Sequence, residues 1–130
     1  MNASPRAGTV VRWTSQCVAT VGFLAAAWHV AALLISSFAA HNYPVGYPAW
    51  RHGAFIAINP AFGWLFLSRP YWLIWPYTPL VMQILAGHGA NVVNLWRRGA
   101  RMDWISVLVV AIALLGLIPA VCLWRDRHRR

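Results

Sequence analysis

Apolar and polar positions alternate along this chain in long blocks, with four apolar stretches parted by short polar ones. Residues 1–16 are polar and carry Arg6 and Arg12. Residues 17–40 (CVATVGFLAAAWHVAALLISSFAA) form one apolar run of 24 residues. As a helix, such a run would reach ~36 Å, enough for a hydrocarbon core of ~30 Å. It is also longer than the roughly 7–15 apolar residues of a secretory leader, so it reads as a first transmembrane helix. Residues 41–52 come next, with Tyr43-Pro44 and Tyr47-Pro48 pairs that disfavour regular helix. Tyr43, Tyr47 and Trp50 suit a membrane interface, and an ordered surface loop is expected here.

Residues 53–67 are apolar but few, with Asn59-Pro60 in their middle. A helix of ~15 residues reaches only ~22 Å, so this second segment is expected to be short, kinked or re-entrant. Ser68-Arg69-Pro70 reads as a tight turn. Residues 71–96 form a third segment, with Pro76 and Pro79 in its first turns, where a missing N–H costs least. Asp103 is placed as the N-cap of a last segment, residues 104–124, its carboxylate against the positive end of that helix. A basic tail, RDRHRR, occupies residues 125–130. The pattern predicts one domain over residues 1–130: an all-α integral membrane protein, a bundle of four transmembrane segments.

Composition strengthens the membrane reading. The chain is 60% hydrophobic and 10% charged, against about 25% charged in soluble domains. Charge then sets orientation and partners. All 11 basic residues are arginine, the only acids are Asp103 and Asp126, and the net charge is +9. In a soluble protein that excess would point to nucleic acid. Here no soluble module exists to bind it, so the expected partners are membrane lipids, with anionic headgroups at the arginines. Four spans with the N-terminus inside put Arg6, Arg12, Arg69 and the tail on one side. Arg51, Arg97, Arg98 and Arg101 fall on the other. The positive-inside rule then favours a bacterial-type inner (plasma) membrane with both termini cytoplasmic. Of 9 tryptophans, Trp13, Trp50, Trp72, Trp96, Trp104 and Trp124 fall near segment ends, as in an aromatic belt.

Candidate chemistry is limited by what is missing. With no carboxylate inside the apolar runs, neither an acid–base pair nor an acidic metal cluster can be assembled there. This argues against an enzyme and against antiport through a buried carboxylate. Cys17 and Cys122 have no metal or redox spacing. His41 and His52 flank the loop and offer imidazoles to an external metal, but no metal motif accompanies them.

Neutral polar residues remain. Gly22, His29 and Ser36 recur every seven residues on one face of the first helix. Such a face reads either as a packing seam or as a site centred on His29. At about 100° per residue, Gln83, Gly87, Asn91 and Asn94 share one face of the third segment, with His88 at its edge. That face is expected to turn away from lipid, as glue between helices or as the lining of a polar site. Asn59 sits at the break in the second segment, where freed carbonyls can line a site. The expected function is a small transporter-like or channel-like protein with a neutral polar pathway for a small neutral or anionic solute. Its lining would be His29, Asn59, Gln83, His88, Asn91 and Asn94. A second reading is a haem-b-binding electron-transfer subunit ligated by His29 and His88. A third is an accessory subunit of a larger membrane complex. A homo-oligomer or membership in such a complex would bury the polar faces.

Overall fold

The computed structural model describes residues 5–42 and 48–128, and the side chains of residues 5–7 and 40–42 fall outside that description. Tyr43, Pro44 and Tyr47, on which the loop expectation rests, also lie outside the described residues. All described secondary structure is helical.

Helix α1 runs Pro5–Leu34, starting a dozen residues before the apolar run. Hydropathy marks where lipid would begin, but helix formation has other requirements. Pro5 stands in the first turn, where a missing N–H is no loss. Thr14 is satisfied within the helix, its hydroxyl donating to the Val10 carbonyl at 2.8 Å. At Ile35 the helix is interrupted for one residue before α2, Ser36–Asn42. Hydrogen bonds nevertheless cross the break, from the Ile35 N–H to the Ala31 carbonyl at 2.9 Å and from the Ala39 N–H to the Ile35 carbonyl at 3.0 Å.

Helix α3 spans Ala49–Ser68, 20 residues or ~30 Å. It corrects two expectations. Trp50, Arg51 and His52 are helical rather than part of a loop, and the segment does not double back at Asn59-Pro60. Pro60 removes one N–H from the ladder, yet the helix continues through it. At its end Arg69 adopts the left-handed conformation (φ 52°, ψ 50°), its N–H bonded to the Leu65 carbonyl at 2.8 Å. Glycine usually takes this position, because a Cβ there costs roughly 1–2 kcal/mol.

Four abutting pieces come next: a 3-10 turn at Tyr71–Leu73, α4 at Ile74–Ile84, a π-helical turn at Leu85–Gly89, and α5 at Ala90–Arg97. Together they are one right-handed path of 27 residues. In the π turn, the Ala90 N–H reaches back five residues to the Leu85 carbonyl. Gly99 (φ 60°) ends the path, with the Ala100 N–H returning to the Leu95 carbonyl at 3.0 Å. Helix α6 then spans Trp104–His128.

Residue pairings define two antiparallel hairpins. In the first, His29 of α1 meets His52 of α3, and Gly22 meets Asn59 and Gly63. In the second, Tyr77 meets Ala113 and Gly116, His88 meets Ser106, and the Arg127 guanidinium lies 5.5 Å above the Tyr71 ring. The hairpins join around Val18, Ala19, Phe66, Leu73, Tyr77, Val81, Ala113 and Ala120. Tyr77 is the centre of this core. Phe66 packs edge-on to it at 4.8 Å, and its hydroxyl donates to the Ala113 carbonyl at 2.9 Å. A side chain at Gly116 would overlap the Tyr77 ring, so glycine is required there.

Two helical stretches, Gly8–Leu34 and Trp104–His128, are long and apolar enough to cross a membrane. Much of the apolar surface faces outward: Trp64 is 67% exposed, Trp75 70% and Trp104 73%.

Candidate functional site

The helix that captures Trp50 to His52 also places His52 on the first turn of α3, and it is buried (4% exposed). Phe55, three residues later, shares that face. The His29 ring, half-buried, stacks on Phe55 at 5.0 Å and 16°. Its Nδ1 stands 3.0 Å from Nδ1 of His52. One of these nitrogens must donate and the other accept. One imidazole of the pair is therefore the Nδ1–H tautomer and its neighbour the Nε2–H tautomer.

His88 is held differently. Its Nδ1 lies 2.9 Å from Ser106 Oγ, and Ser106 donates its hydroxyl proton to Asp103 Oδ2 at 2.6 Å. A hydroxyl has only one proton, so His88 Nδ1 must supply the hydrogen in the bond to Ser106. Neutral His88 then keeps its lone pair on Nε2. Asn91 Nδ2 donates to Asp103 Oδ2 at 3.0 Å and to Ser106 Oγ at 3.4 Å. Asp103 Oδ1 accepts the N–H groups of Ile105 (3.1 Å) and Ser106 (3.2 Å), which makes Asp103 the cap of α6. Burial pushes the Asp103 carboxyl upward. The Ser106 hydroxyl, the two N–H groups and His88 outweigh that and hold it below the usual carboxylate range.

Both assemblies lie away from the turn at residues 68–71 that joins the hairpins, His52 at the start of α3 and Ser106 at the start of α6. The expected residues fare unequally. His29, His88 and Asn91 enter these networks. Asn59 is half-buried in mid-α3, its carbonyl close to Gly22 rather than in a helix break. Gln83 and Asn94, exposed in the single chain like His88 and Asn91, do not join these networks. A count at 100° per residue cannot see the π turn, which adds a residue to one turn and rotates the downstream positions by about one step. Gly87 meets nothing within 4 Å where a Cβ would stand, so it serves no close approach.

Phe55 and Ser106 were not singled out by sequence, and His52 was named only as an imidazole beside the loop, offered to an external metal. His52 lay outside the apolar run. Ser106 had a readable signal: it sits three residues after a capping aspartate, where a side chain can reach back. The His41 side chain lies outside the described residues. Among the described residues, no three His, Cys, Asp or Glu side chains are grouped to hold a metal. No family model, no curated protein and no solved structure matches the chain.

Proposed function

We propose that this is a four-span membrane protein whose histidine-centred site binds a small neutral or anionic solute and passes it across the bilayer. The spans are α1, α3, the Tyr71–Arg97 path and α6. The outward tryptophans favour lipid around them, because a soluble protein seldom exposes so much large apolar surface. The arginine asymmetry favours a bacterial-type inner membrane, with Arg12, Arg69 and both termini on the cytoplasmic side.

The observation that carries the reading is the part-buried Nδ1–Nδ1 contact of 3.0 Å between half-buried His29 and buried His52. Polar side chains at such depth are expensive and mark sites. With its Nδ1 held by Ser106, His88 offers a ligand the lone pair on Nε2. The one carboxylate nearby, Asp103, already accepts four hydrogen bonds, so little negative charge is left to favour a cation. Liposomes loaded against urea, glycerol, chloride, nitrate and formate test this. Flux of at least one solute, falling tenfold or more in His52→Ala and His88→Ala, is the expected result. No flux for any of them counts against it.

Haem b ligation by His29 and His88 is the second reading. Its support is that protein contacts orient both rings through Nδ1, as they orient ligating histidines. A Soret band lost on His29→Ala would favour it; a colourless protein ends it. Exposed Gln83 and Asn94 are better served by a second copy than by lipid, which native mass in detergent reads directly. A stoichiometric partner found with an inactive chain would instead favour an accessory subunit.

A further inference from the structure

A different polar feature lies at the opposite end of the helices. Between the early turns of α1 and the last turn of α3 is a partly enclosed cavity of about 160 Å³, lined by Arg12, Ser15, Gln16, Phe66, Leu67 and Arg69. Liquid water occupies ~30 Å³ per molecule, so the space suits roughly five waters or one tetrahedral oxyanion. Ser15 is 1% exposed, and its Oγ has no hydrogen-bond partner among the described residues. Three other helical hydroxyls are held differently. Those of Thr14, Ser68 and Thr78 each close onto the carbonyl four residues back at 2.8 Å. Ser15 instead lines the cavity with its donor unused, and a buried hydroxyl left unpaired is destabilising.

The charges around it have one sign. Neither Asp103 nor Asp126 lines the cavity, whereas Arg12 and Arg69 do. A guanidinium presents paired donors in a planar fork that matches phosphate oxygens. The Arg69 backbone is fixed at the rim by its capping bond to Leu65 and by Pro70 after it.

We propose that this cavity is a phosphate-binding site, in which Arg12 and Arg69 grip the oxyanion from two helices and Ser15 donates its hydroxyl from below. Gln16 adds a neutral donor. The ligand is a phosphate group, carried either by an anionic phospholipid headgroup or by free phosphate. The site shares no residue with the histidine site, and its test does not depend on solute flux.

The full chain is purified in a neutral detergent and compared with Arg12→Gln/Arg69→Gln, Ser15→Ala and the distant control Arg98→Gln. Native mass spectrometry with added phosphatidylglycerol or phosphatidylcholine reads retained lipid. Thermal unfolding with and without inorganic phosphate reads the free ion. If the source is lipid, phosphatidylglycerol is retained over phosphatidylcholine, tenfold or more less by the double variant and severalfold less by Ser15→Ala. If the source is free phosphate, the ion raises the melting temperature of the wild type and of Arg98→Gln but not of the double variant. Ser15→Ala adds a folding-independent check. Without ligand it melts at or above the wild-type temperature, since it removes an unpaired hydroxyl, while its response to ligand shrinks. Equal lipid retention and equal phosphate response in the wild type and the double variant would overturn the proposal.

Discussion

The two hairpins solve the same packing problem in opposite ways. In the first, small residues bring backbones together: Gly22 of α1 lies so close to α3 that an added Cβ would stand 3.0 Å from the Asn59 carbonyl. In the second, one large ring, Tyr77, fills a notch that only Gly116 can leave open. Their histidines differ in the same manner. His29 and His52 meet Nδ1 to Nδ1, so one ring donates and the other accepts. His88 is tied through Ser106 to a carboxylate, which fixes its tautomer. The first hairpin thus holds a ring-to-ring contact, and the second a ring tied through a hydroxyl to a carboxylate.

The sharpest way to break the contrast is to place the same methyl in both hairpins. Gly116→Ala forces it into the Tyr77 ring, an overpacking expected to cost about 3 kcal/mol in detergent unfolding. Gly22→Ala meets a backbone carbonyl at the edge of contact and should cost nearer ~1 kcal/mol. Equal losses would mean that the hairpins pack alike.

Between these falls Asp103→Ala, expected to cost about 2 kcal/mol by losing the α6 cap. Its pH signature is more telling. The Asp103 carboxyl is held down in the folded protein. Its stabilisation is therefore complete above the unfolded carboxyl value, near pH 4, and is lost as pH falls through the lower folded value. The wild type should weaken across that acid window, and Asp103→Ala should lose this part of the pH dependence. The smallest expected change is in Tyr77→Phe, where removal of one buried hydrogen bond costs ~1 kcal/mol or less and the ring still fills the notch.

How much of this was legible in the sequence depended on the physics each feature obeys. Helical class and the capping role of Asp103 follow from local rules, and both could be read directly. The start of α1 and the start of α3 could not, because an apolar run marks hydropathy while the helix begins in the polar residues before it. That extension carries His52, read as a loop-flanking residue, onto α3, where it meets His29 across the first hairpin. His88 and Asn91 were chosen for being polar in an apolar run, and both join a network. Gln83, Gly87, Asn91 and Asn94 were grouped by angle, with His88 at the edge of their face. The π turn at Leu85–Gly89 shifts that count between Gln83 and the two asparagines, and nothing in LAGHG announces an i→i−5 bond beforehand.

Nitrogen-15 shifts of the histidine rings, measured in detergent or nanodiscs at neutral pH, test the histidine account most directly. His88 should show the Nδ1–H tautomer with an unprotonated Nε2, and Ser106→Ala should release it. His29 and His52 should show one Nδ1–H and one Nε2–H ring, and His52→Ala should remove that pairing. An Nε2–H tautomer at His88, together with identical tautomers at His29 and His52, would contradict the site described for this protein.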